Sequence, residues 1–184
     1  MEIQREPDKI IEIDLRKVSL TSIYLSIGSL VFLMVIKSLI AGELRVSFSI
    51  TSVILFIVGY LLLIVLHELF HLLGFRVFGN VPWKSMIVGV NLKMGVAYAT
   101  TDKPMTNKAI RKALLLPFWT TGIFPALVGL LLDNGIVLGL AAFLIGGAAG
   151  DFAMYKELKE LPDDWMVKDD PEAPKLYMYK PNRI

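Results

Sequence analysis

A chain of 184 residues with 55% hydrophobic side chains, no cysteine and a formal net charge of +2 has room for one domain. The small charge and the lack of a basic stripe with interleaved aromatics argue against a nucleic-acid partner. The missing cysteine excludes disulfides, thiolate zinc sites and thiol nucleophiles.

The mean hydropathy of +0.61 comes from apolar blocks rather than an even spread. Residues 1–17 mix acids with bases, unlike the acid-free basic region that opens a cleavable signal. Four apolar blocks follow, at about 18–41, 50–74, 113–132 and 136–155, each long enough for a helix to cross a hydrocarbon layer about 30 Å thick. The expected fold is an all-α membrane protein, a single integral membrane domain over 1–184 with about four transmembrane helices. Between the second and third blocks, 76–112 is too long for a simple link. Ser85 to Val90 and Met94 to Thr100 read as two short strands with Asn91 to Lys93 as their turn, a small cytoplasmic β-hairpin. Helical pattern resumes near Asn107, after Pro104 and a Thr106 cap. Pro117 and Pro125 fall inside the third block and predict kinks there. The tail, 157–184, is charged and proline-rich, with Trp165, Tyr177 and Tyr179 suited to a membrane surface. It reads as regulatory or structural rather than catalytic.

Orientation follows from the positive charges. Arg5, Lys9, Arg16 and Lys17 lie in the arm. Arg76, Lys84, Lys93, Lys103, Lys108, Arg111 and Lys112 lie in the central segment, and Lys156, Lys159, Lys168, Lys175, Lys180 and Arg183 in the tail. Only Lys37 and Arg45, around the link Gly42 to Ser47, fall on the other side. Both termini and the central segment are therefore expected in the cytoplasm, with Lys37 snorkelling to the outer headgroups.

The only two histidines close the second block, in His67-Glu68-Leu69-Phe70-His71. Residues four apart share a helix face, so both imidazoles can reach one metal ion while the neighbouring carboxylate reaches a water on it. Depth suggests a third ligand. His67 lies about 26 Å along the second helix and Asp151 about 23 Å along the fourth, at 1.5 Å per residue. Both helices run inward from the outer face, so His67, His71 and Asp151 should reach a similar level near the cytoplasmic side. A carboxylate buried there is costly without a cation. The small-residue run Gly146 to Gly150 would let two helices approach closely enough for a short aspartate to reach the metal. The alternative is plain helix packing, with Asp151 facing interfacial water and the histidines held by local partners.

These features resemble the putative zincin peptidases, a family of prokaryotic membrane metallopeptidases that is itself similar to the site-2 protease intramembrane zinc metalloproteases. The matching residues are His67 to His71 at the end of a transmembrane helix, the hairpin ending in Tyr98-Ala99-Thr100, Pro117 in Leu115-Leu116-Pro117, and Gly146 to Asp151. The site-2 signature carries glycine where this chain has Phe70, and the third-ligand context here is Ala149-Gly150-Asp151-Phe152. The resemblance implies Zn2+ as cofactor, Asp151 as third ligand and an integral protein of a prokaryotic cell membrane.

The expected activity is hydrolysis of peptide bonds in membrane-associated protein or peptide substrates. Zinc on His67, His71 and Asp151 would acidify a water, with Glu68 as general base. Asn91 and Tyr98 are candidates for substrate or oxyanion contact, and the hairpin edge for binding substrate as an added strand. The partners expected are the lipid bilayer and that substrate. Four helices are few to enclose a water-accessible site, which leaves room for a homo-oligomer. The rival reading is a non-catalytic metal-binding scaffold or adaptor that keeps the ligands. A zinc transporter would need a second intramembrane polar site, which the outer halves of the helices do not supply.

Overall fold

The computed structural model describes residues 5–42, 49–91, 96–170 and 173–181. In chain order the elements are β1 (Lys9–Glu12), α1 (Leu15–Ala41), α2 (Ile50–Gly79), a 3-10 turn (Trp83–Ser85), β2 (Met86–Asn91), β3 (Val96–Thr101), β4 (Met105–Thr106) and α3 (Asn107–Pro117). A π-helical stretch (Phe118–Ile123), α4 (Phe124–Leu131), α5 (Gly135–Gly147), α6 (Ala149–Leu158), β5 (Met166–Asp169) and β6 (Lys175–Tyr179) complete the chain. Among the described residues, four helical stretches are long and apolar enough to cross a membrane: Leu15–Ala41, Ile50–Gly79, Asn107–Leu131 and Gly135–Leu158. The expected Arg45 link, the hairpin turn at Leu92 and Lys93, the Met94 strand start and Arg183 lie outside the described residues. Asn91, expected in that turn, is the last residue of β2.

The chain divides into two compact units, with Arg16–His67 and Pro117–Ala149 forming the apolar one. Its core is Leu33, Ala126, Leu138, Ala141 and Ala142. Its outward faces carry large apolar side chains almost fully exposed, such as Leu39 at 79% and Ile50 at 82%. A hydrocarbon solvent makes such faces stable, whereas in water a patch of that extent would be covered. Close packing comes from small residues. A methyl group added at Gly146 would stand 2.7 Å from the Ser22 carbonyl oxygen of α1. Gly146, in the small-residue run before Asp151, thus serves contact with α1.

Lys37 corrects an expectation. It is 5% exposed, and its ammonium donates to the Asp133 carboxylate and, at 3.1 Å, to the Asp133 carbonyl. Burial of its stem between helices and a counter-ion at the α4–α5 turn replace the predicted reach for headgroups. Asn134 then caps α5, accepting from the N–H groups of Ile136 at 3.0 Å and Val137 at 3.2 Å, so two orphan donors of the first turn are satisfied.

The second unit, Met1–Leu15, Glu68–Leu116 and Gly150–Ile184, is not all-α. Alongside the β2–β3 hairpin it holds a four-stranded antiparallel sheet in the order β1-β6-β5-β4. Ile11 pairs with Leu176, Val167 with Met178 and Met105 with Val167. Strand β6 of the tail packs into the core, with Leu176 1%, Met178 0% and Tyr179 6% exposed, while Trp165 and Tyr177 are part-buried. Alternation in Lys175–Tyr179 carries this, with Leu176 and Met178 on one face of β6. Asn107 ties the unit together from the start of α3, donating to the carbonyls of Leu158 at 2.8 Å, Leu161 at 2.9 Å and Pro162 at 3.0 Å. Thr106 caps α3 as expected, accepting from Ala109 N–H at 3.3 Å.

The predicted helices also differ at their ends. The first begins at Leu15 and the second runs to Gly79, where Asn80 at φ 52° ends it in the left-handed region that asparagine tolerates. The third is divided by the π-helical stretch after Pro117. The fourth breaks at Ala148, whose ψ of 4° leaves the helical region and opens α6.

Candidate metal centre

The motif lies within the continuous helix α2, and one turn separates His67 from His71. His67 is 8% and His71 6% exposed. At that burial each imidazole needs a partner for both ring nitrogens. His71 Nδ1 lies 3.2 Å from the Ala113 carbonyl oxygen of α3. A carbonyl only accepts, so His71 carries a proton on Nδ1, and Nε2 is the ring atom turned toward Asp151. The helices approach closely enough for this because Gly74, three residues on, faces Ala113; a methyl group at Gly74 would stand 2.8 Å from the Ala113 Cα. Phe75 stacks on the His71 ring, with centroids 6.3 Å apart and planes 20° from parallel. His67 Nδ1 lies 3.2 Å from the Thr121 hydroxyl.

Asp151 stands in the first turn of α6, where a carboxylate is favoured by the N-terminal end of the helix dipole. Its side chain is 13% exposed, and its Oδ1 lies 3.3 Å from His71 Nε2. Two atoms that both offer lone pairs at that distance repel unless a cation stands with them, either a proton or a metal ion. One ligand atom from each of His67, His71 and Asp151 lies within 4.8 Å of the others. Two imidazoles and one carboxylate are a donor set that suits zinc and leave a fourth position for water or substrate. The residues present fit the metal.

Glu68 is part-buried beside the cluster. The other two predicted contacts are placed on the hairpin. Tyr98 pairs with Gly89 and lies across it; a methyl group at Gly89 would stand 2.5 Å from the Tyr98 hydroxyl. Asn91 pairs with Val96 at the end of the same ladder. Sequence reasoning missed Thr121 and the Ala113 carbonyl as imidazole partners. Both are tertiary contacts, and Pro117, the nearest visible signal, reads alone as a kink.

No curated protein and no solved structure matches the chain. A family model described as putative zincin peptidase matches residues 60–166. That stretch is more than half of the chain and contains His67, Glu68, His71 and Asp151. Such a family suggests a zinc metallopeptidase, in keeping with the donor set. The chain belongs to the putative zincin peptidases.

Proposed function

We propose that this protein is an intramembrane zinc metallopeptidase in which His67, His71 and Asp151 hold the metal and Glu68 is the general base. The observation that carries the reading is the 3.3 Å approach of His71 Nε2 to Asp151 Oδ1 in a cluster that also includes His67. Bound zinc supplies a Lewis acid that acidifies water and polarises a peptide carbonyl. The two imidazoles and the carboxylate orient that centre. Glu68 takes the proton of the attacking water and returns it to the leaving amine, so that one carboxylate serves as base and then acid.

Substrate reaches such a site as an extended strand, because a peptide bond within a helix has its carbonyl hydrogen-bonded and shielded. Among the described residues β2 pairs only with β3, and the outer edge of β2 supports strand addition by a membrane-associated protein or peptide. Tyr98 and Asn91 belong to this hairpin reading, as contacts to substrate rather than to metal. The site-2 protease likeness of the motif and the four apolar helices support a place in a prokaryotic cell membrane. The lysine and arginine distribution supports cytoplasmic termini.

Glu68→Gln is the test. The variant should keep zinc at the wild-type stoichiometry and lose cleavage of a panel of single-span substrates by about 100-fold or more. Hydrolysis retained in that variant would overturn the mechanism. Wild-type protein that binds zinc yet cleaves nothing in the panel would favour the scaffold reading.

A further inference from the structure

A single residue accounts for the partners of both imidazoles. Proline has no N–H, so at Pro117 the carbonyl of Ala113, four residues back, loses the donor that a regular helix would supply. His71 Nδ1 takes that carbonyl at 3.2 Å. The helix then passes into the π-helical stretch Phe118–Ile123, an arrangement that recurs at functional sites. There the Thr121 hydroxyl donates to the Pro117 carbonyl at 2.8 Å. A hydroxyl has one proton. With that proton committed, Thr121 Oγ1 can only accept from His67, 3.2 Å away at Nδ1. His67 and His71 thus both carry a proton on Nδ1, which leaves Nε2 as the atom each ring can offer a metal.

We propose that Pro117 is a positioning residue that sets both histidines as Nε2 ligands before metal arrives, directly through the Ala113 carbonyl and through Thr121 for His67. This rests on the metal site proposed above. Its consequence is a preorganised site: neither ring has to change tautomer on metal binding. Outer partners of ligating histidines typically contribute 10–100-fold to metal affinity.

With only two histidines in the chain, 15N-histidine labelling of the full protein in nanodiscs gives two imidazoles to assign. In zinc-free protein, at a pH where both rings are neutral, the nitrogen shifts should show Nδ1–H on both. An unconstrained imidazole favours Nε2–H, so that pattern is diagnostic. Pro117→Ala should return a backbone donor to the Ala113 carbonyl and move the His71 tautomer toward Nε2–H. Thr121→Val, which keeps the shape, should move His67 alone and weaken zinc binding by about 10–100-fold. Thr121→Ser should restore both the shift and the affinity. Should Pro117→Ala fail to fold, the valine and serine variants still decide the matter.

Zinc uptake by a wild-type protein that shows Nε2–H on either histidine would overturn the positioning role and leave the metal reading intact. Unchanged shifts and affinity in Thr121→Val would do the same. Nδ1–H on both rings with no zinc uptake would instead overturn the metal reading, and the positioning role with it.

Discussion

Two places in this protein set a basic side chain against an aspartate in apolar surroundings, and they end differently. At Lys37 and Asp133 the charges complete each other. The ammonium is buried, the carboxylate is 65% exposed to solvent, and the Asp133 carbonyl takes a further ammonium hydrogen. At His67, His71 and Asp151 the outer ring nitrogens are satisfied by Thr121 and Ala113, while one ligand atom of each side chain lies within 4.8 Å of the others. The first arrangement is a closed ion pair that secures the turn between α4 and α5. The second is a cluster that could hold a metal ion. A buried acid–base pair is therefore a candidate metal site only when further ligand atoms cluster with it.

The sharpest test of that contrast is zinc content. His71→Ala removes a proposed ligand and should lower zinc affinity by more than about 100-fold, beyond the range for outer partners. Lys37→Met should leave bound zinc unchanged by elemental analysis. Equal zinc loss in the two variants would erase the distinction.

The closed pair should be asymmetric. Asp133→Asn leaves a buried ammonium without its counter-ion and should cost about 1–3 kcal/mol. Lys37→Met leaves only a solvent-exposed carboxylate and should cost less than about 1 kcal/mol, since replacing a buried charge by an apolar side chain is often neutral. Thermal midpoints in one detergent should rank wild type, then Lys37→Met, then Asp133→Asn.

Gly74→Ala probes the open cluster from behind. Its methyl group would meet Ala113 backbone at 2.8 Å, and such overpacking costs about 1–3 kcal/mol. Separation of α2 from α3 should also stretch the bond from His71 to Ala113. A lowered thermal midpoint accompanied by weaker zinc binding is the expected pairing.

The smallest effect concerns Asp169 on β5, whose carboxyl burial pushes up to about 6, above the usual value of about 3.9 for an unfolded chain. Between those values the folded state holds the extra proton, so stability falls as pH rises through the window. In zinc-free protein Asp169→Asn should flatten that fall and raise the thermal midpoint a few degrees at pH 7.5. A pH profile identical to wild type would show that Asp169 does not carry the effect.

Much of this was legible in the chain itself. A block such as Ile50 to Gly74 is long and apolar enough to cross a hydrocarbon layer as a helix, so the four helices follow from composition and length. His67 and His71 share a face because four residues make about one helical turn. Asp151 was reachable by counting depth, since rise per residue is constant. The four-stranded sheet was hidden because β1 and β6 are far apart in sequence and β4 is only two residues long. Strand pairing depends on partners that no local pattern names. The Pro117 residue was visible as a break, but its effect on the histidines was not.

The sequence by itself therefore determined the four long apolar helices and the facing histidines, because both rest on fixed helical geometry and on the cost of exposing apolar surface. The tertiary structure decided three further matters: that Lys37 is paired, that strands β5 and β6 of the tail enter the core, and that Ala113 and Thr121 hold the imidazoles. Each depends on which distant groups meet, and burial forces buried polar atoms to find partners without specifying from afar which ones.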